Sequence, residues 1–73
     1  MGDNLKLCSD REAVRKFQEA GWTAARQKGS HVMMTKPDCQ YTLSIPQHKE
    51  LGPGILRKLI RQAGISVEEF DSL

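Results

Sequence analysis

Seventy-three residues, a net charge of +2 and two cysteines set narrow limits. A chain this short folds as one domain around a small core, because such a domain buries only about 60% of the surface its unfolded chain exposes. Cys8 and Cys39 lack the Cys-x-x-Cys spacing of a redox or zinc site and are too few for a disulfide framework, which favours a reducing cytosol. No apolar run approaches the ~18 residues of a membrane helix, and Lys6 stands where N-myristoylation prefers Ser or Thr. A cytoplasmic protein with no membrane contact is expected.

The charge is unevenly distributed. Between Arg26 and Arg61 lie seven basic residues against Asp38 and Glu50, a balance of +5, so the rest of the chain carries −3. A basic middle suits a polyanion, since Lys and Arg that neutralise phosphates release condensed counterions. Charge alone fits an ordinary solvated surface equally well.

In chain order, Ser9-Asp10-Arg11-Glu12 has the form of a capping box and should open a helix. Ala13, Val14, Phe17 and Ala20 recur on one face of that helix, and Gly21 is placed to end it. Strands are expected over residues 22–28 and 31–36, joined by Gly29-Ser30, where Gly supplies the positive φ that a type II′ turn needs. A two-residue turn sets Lys28 opposite His31, Gln27 opposite Val32, Arg26 opposite Met33 and Ala25 opposite Met34. A four-residue loop over 37–40 would then set Lys36 against Tyr41, Met34 against Leu43, Val32 against Ile45 and His31 against Pro46.

This register gives the sheet two distinct faces. Ala25, Val32, Met34, Tyr41, Leu43 and Ile45 form the face that helices should cover. Arg26, Lys28, His31, Met33, Thr35, Thr42 and Ser44 form the open one, with Trp22 also falling there unless a bulge interrupts the first strand. After a loop over 47–51, Pro53 suits a first helical turn, and Ile55, Leu56, Leu59, Ile60 and Ala63 make an apolar stripe opposite Arg57, Lys58 and Arg61. Gly64 ends this helix, and Ser66-Val67-Glu68-Glu69 is a second capping box opening a short turn near Phe70. The expected fold is α+β: α-β-β-β-α, a three-stranded antiparallel sheet with both helices on one face.

A nuclease needs metal-binding carboxylates or a side chain that moves protons. The carboxylates are dispersed: Asp3, Asp10, Glu12 and Glu19 precede the sheet, Asp38 is at a turn, and Glu68, Glu69 and Asp71 are C-terminal. Ser30 and Cys39 have no identifiable base, so small turn residues explain them better than nucleophiles. His31 could take the proton from a ribose 2′-hydroxyl or give one to the leaving 5′-oxygen, with Lys28 and Arg26 on the same face to bind phosphate. From the residues alone, His31 fits an exposed turn-flanking histidine as well as a proton carrier. His48 is a candidate second proton carrier, though a loop histidine that caps backbone groups or touches a partner fits it better.

Four segments resemble the HicA toxin family, the YcfA-like mRNA interferases of bacterial type II toxin-antitoxin systems. They are Glu19-Ala20-Gly21-Trp22, Arg26-Gln27-Lys28-Gly29-Ser30-His31, Leu43-Ser44-Ile45-Pro46-Gln47-His48, and the run from Pro53 through Ile55, Lys58, Arg61 and Gln62 to Gly64. Their order and spacing carry the resemblance from about Ser9 to Phe70. It implies a single domain over 1–73, with 1–8 a flexible N-terminal segment, and a fold similar to a double-stranded RNA-binding domain.

The resemblance also implies a metal-independent endoribonuclease without a cofactor, in which the histidine after the Gly-Ser turn, His31, is catalytic. Arg26, Lys28, Gly29, Ser30, Lys58 and Arg61 are then expected to contact mRNA. The implied partner is a HicB-like antitoxin covering the active face, with DNA reached only through that antitoxin. Cys39 departs from the family pattern, which often has Gly closing the second turn, and this puts the register there in doubt. The alternative is a non-catalytic RNA-binding module of the same fold. Its single-stranded stacking platforms would be few, since Trp22, Tyr41, Phe17 and Phe70 are the only aromatic rings besides the histidines.

Overall fold

The computed structural model describes residues 7–47 and 51–73. Its elements follow the order α1 (Asp10–Glu19), β1 (Thr23–Lys28), β2 (His31–Lys36), β3 (Cys39–Pro46), α2 (Pro53–Ala63) and α3 (Val67–Asp71). The strands form one antiparallel sheet in the order β1-β2-β3, the α+β arrangement expected. Of the expected N-terminal segment, residues 1–6 lie outside the described residues; Cys8 packs on the core, and its carbonyl accepts a 3.0 Å hydrogen bond from the Leu51 N–H.

Ser9 caps α1, its hydroxyl accepting from the Glu12 N–H at 3.2 Å. The second half of the expected box does not form, because the Glu12 carboxylate is taken by Arg15, which also bonds Glu19 one turn further on. At the other end Gly21, at φ 100°, adopts a backbone that a side chain would strain. The Gly21 N–H returns to Gln18 C=O and the Trp22 N–H to Phe17 C=O, which is the Schellman pattern with its apolar contact between the Trp22 and Phe17 positions.

That closure corrects the first strand. Trp22 belongs to the helix exit and is buried, 2% exposed, whereas the unbroken alternation put it on the open face. β1 absorbs the difference with a bulge between Ala24 and Arg26, so Ala24, not Ala25, pairs with Met34. Ala25 is the extra residue and is exposed instead of facing the core. From the bulge to the turn the register is as expected, with Arg26, Gln27 and Lys28 opposite Met33, Val32 and His31.

The second hairpin is tighter than a four-residue loop. Lys36 pairs with Cys39 across Pro37 and Asp38, and the surplus residues of β3 are taken up in an irregularity opposite Thr35 before Met34 meets Leu43. Tyr41 lies within that irregularity, no longer opposite Lys36, and is 66% exposed where a core position was expected. Beyond it the pairs Met34 with Leu43, Val32 with Ile45 and His31 with Pro46 agree with the sequence register.

Met34, Leu43 and Ile45 on one sheet face join Ala13 and Phe17 of α1, Leu56, Leu59, Ile60 and Ala63 of α2, and Trp22, Leu51 and Phe70 in the core. Gly64 closes α2. Ser66 and Glu69 form both halves of their capping box, at 3.0 and 3.1 Å, and direct α3 so that Phe70 reaches the core. There the Phe70 ring tilts against Phe17 at 5.1 Å. Lys16, unexpectedly buried, spans the same place: its Nζ donates to the Phe70 carbonyl at 3.3 Å and lies 4.8 Å from the ring centroid.

Candidate active site

Gly29 has φ 61° and Ser30 does not share a positive φ, the combination a type II′ turn requires. The Gln27 side-chain amide donates to the Gly29 carbonyl at 3.2 Å, and the Gln47 N–H donates to the Ser30 carbonyl at 2.6 Å. The second bond pins the turn to the end of β3. His31, the next residue, is thereby fixed between Lys28 on one side and Pro46 on the other.

Alternation sends His31, Met33, Ser44 and Pro46 to the sheet face opposite Met34, Leu43 and Ile45. Thr42, Ser44 and Pro46 of β3 form one wall of a groove with His31, and Ile55, Lys58, Leu59 and Gln62 of α2 form the other. Its volume is about 310 Å³. The α2 wall follows helical spacing, since positions i, i+3, i+4 and i+7 share a face. Leu56, Leu59, Ile60 and Ala63 make a second stripe rotated toward the core, with Leu59 belonging to both.

Two sequence expectations change here. Ile55, expected in the core stripe, is 42% exposed at the groove. Lys58, assigned to the side opposite the apolar stripe, instead flanks it and faces into the groove beside His31. Both follow from the breadth of the apolar run: five apolar positions cover more of the helix circumference than the sheet can bury.

His31 and Lys58 are thus brought into one groove. Lys28 is the direct cross-strand neighbour of His31, a separation of about 5 Å between Cβ atoms, and Arg26 is two residues further along the same strand, paired with Met33. Gly29 and Ser30 form the exposed turn beside them. Arg61 is exposed on α2 but is not among the groove residues, and His48 lies outside the described residues. None of Arg26, Lys28, Lys58 and Arg61 is ion-paired with a described residue. The arrangement offers a proton carrier beside unneutralised cations, which suits a phosphodiester. Among the described residues, no group of three or more His, Cys, Asp or Glu side chains could hold a metal ion.

A family model described as the HicA toxin of bacterial toxin-antitoxin matches residues 11–65. The chain belongs to the HicA toxin family. The match includes all three strands, α2 and all but the first residue of α1, and therefore every residue of the groove. As a HicA-family protein it is the toxin of a toxin-antitoxin pair, with an antitoxin as its counterpart. No curated protein matches the chain. No described helix is long and apolar enough to cross a membrane.

Besides His31 and Lys58, the groove is lined by Thr42, Ser44, Pro46, Ile55, Leu59 and Gln62, none of them among the site residues expected from sequence. The signal is the 55, 58, 59, 62 spacing, which overlaps the expected apolar stripe 55, 56, 59, 60, 63 at Ile55 and Leu59 and is masked by it.

Proposed function

We propose that this HicA-family toxin is an endoribonuclease, an mRNA interferase, whose proton carrier is His31. The ribose 2′-oxygen attacks the adjacent phosphorus and the bond from phosphorus to the 5′-oxygen breaks, leaving a 2′,3′-cyclic phosphate and a 5′-hydroxyl. His31 takes the 2′-hydroxyl proton as general base or protonates the departing 5′-oxygen as general acid, and water or His48 exchanges the proton at the other oxygen. Lys58 stabilises the charge that builds on the phosphoryl oxygens, and Lys28 and Arg26 hold the chain on the open face. DNA, lacking the 2′-hydroxyl, is not cleaved this way.

The observation that carries this reading is the imidazole of His31 lining one groove with the Lys58 ammonium, with Lys28 directly across the ladder. Gly29 and Ser30 shape the approach to it, Arg61 extends the cationic surface along α2, and His48 remains the candidate for a second proton carrier. The mechanism needs no metal or cofactor. A HicB-like antitoxin would cover this groove and carry any DNA contact, and the site of action would be the cytoplasm, where mRNA is.

The decisive variant is His31→Ala. It should melt like the parent, since the side chain is only half-buried, yet lose RNA cleavage by roughly 10²- to 10⁴-fold, the usual worth of a proton carrier, and no longer arrest growth. Products of the parent should end in cyclic phosphate, and chelators should leave its rate unchanged. Full activity in His31→Ala removes that residue from the mechanism. Intact RNA recovered from a tight complex with the parent supports the non-catalytic binding module instead.

A further inference from the structure

We propose that the groove between β3 and α2 is a subsite for one nucleobase, and that Gln62 reads the edge of that base. The proposal rests on the ribonuclease reading for its ligand class but concerns a residue outside the proposed proton transfer. The volume of about 310 Å³ lies at the lower end of small-ligand sites, about 300–1,000 Å³, which suits one nucleotide. Ile55 to Gln62 spans two helical turns, about 10 Å, again the reach of a single base with its sugar.

The lining divides by chemistry. Pro46, Ile55 and Leu59 are apolar, and Ile55 leaves 42% of its surface exposed at the groove, with nothing among the described residues covering it. No ring of Phe, Tyr or Trp lines the groove, so apart from the His31 imidazole a base held there lies against aliphatic carbon, and stacking, which is sequence-tolerant, leaves selectivity to a hydrogen-bonding group. Thr42 and Ser44 add hydroxyls along β3. Gln62 is the one lining residue with an acceptor and two donors in a single plane. It is half-buried, and its amide makes no hydrogen bond within the described protein. A planar amide beside an apolar wall is the group that pairs with two atoms of a base edge at once, as Gln does with the N6 and N7 of adenine. With His31 and Lys58 in the same groove, the base that enters belongs to a nucleotide whose ribose and phosphate meet those two side chains.

The test uses 2′-fluoro tetranucleotides, which lack the hydroxyl the reaction requires, varied one base at a time and titrated by fluorescence anisotropy against the full-length protein. The parent should prefer one class of base at a single position by roughly 5- to 150-fold, the range for a bidentate side-chain contact to a base. Gln62→Leu should flatten that preference and leave melting unchanged. Gln62→Glu, which can only accept, should move the preference toward guanine, whose N1–H and N2 amino group give a carboxylate two adjacent donors. Equal or absent binding of all four bases by the parent overturns the subsite, as does a preference that survives in Gln62→Leu. Cleavage of the matching all-ribose oligonucleotides is scored separately: base-selective binding without cleavage sinks the ribonuclease reading and leaves the subsite standing.

Discussion

Replacing Phe70 with alanine removes a ring that is 0% exposed and lies 5.1 Å from Phe17. It sits in a five-residue helix that follows the last residue of the family match at 65. Fully buried Phe→Ala changes cost about 3–5 kcal/mol, combining lost transfer energy with the cavity left behind. The neighbours do not readily collapse into the space, because Phe17 is held by the helix exit at Gly21 and Trp22, and Lys16 lies across the ring. A domain of this length is stable by only about 4–11 kcal/mol, and small cores fall toward the lower end. The variant should therefore lose most of its stability, with a fall in melting temperature of roughly 12–40 °C at 4–8 °C per kcal/mol. Urea and thermal denaturation followed by circular dichroism measure both quantities. A loss below about 1 kcal/mol, well under the cost of a buried ring, would mean that α3 is not docked and that the core ends with α2.

Two further outcomes follow from charge. Lys28→Ala and Lys58→Ala should each weaken binding of uncleavable single-stranded RNA to a similar degree for every sequence, and each should reduce the slope of log K against log salt by about 0.7; unchanged slopes would take both ammonium groups off the phosphate path. On α1, the hydrogen bond from Arg15 holds the Glu12 carboxyl below the usual carboxylate range. Its folded value is lower than its unfolded one, so the contribution is complete above that range and is lost as pH falls through the lowered value. Glu12→Gln should consequently show a shallower acid limb in stability measured from pH 7 to pH 3, a small difference that 1 M salt diminishes because the pair is exposed. Identical acid limbs would refute the pairing.

The parts of the fold legible in sequence are those decided within a few residues. Gly29-Ser30 specifies its own turn, and the turn then specifies the register of Lys28 with His31. Ser66 and Glu69 cap each other because no other group competes for the carboxylate. Ser9 and Glu12 carry the same signature, yet Arg15, three positions on, draws Glu12 away. Trp22 falling on the open face points to a bulge in the first strand, but its place at Ala25 was not legible because its cause is distant: the Schellman closure swings Trp22 inward, and the strand must then change faces before it meets the turn in register. Tyr41 left the alternation for a related reason, since Pro37 and Asp38 accept a two-residue turn and the surplus length had to go into β3. The histidine and its face were readable; the second wall of the groove was not, because helical spacing alone does not say which edge of a broad apolar stripe stays outside the core.

That second wall also explains how an open sheet face acquires a defined site. A sheet surface by itself would leave His31 among mobile cations, with no fixed partner for a substrate to meet. Leu59 belongs to both stripes of α2, so the packing that seats the helix against Leu43 and Ile45 simultaneously sets the rotation at which Lys58 and Gln62 are presented. On the opposite wall, the bond from Gln47 N–H to Ser30 C=O fixes the turn that carries His31. The two walls are therefore held by independent devices, one of core packing and one of backbone hydrogen bonding. Their spacing is kept only while both persist, which ties the chemistry proposed for the exposed groove to the integrity of the core behind it.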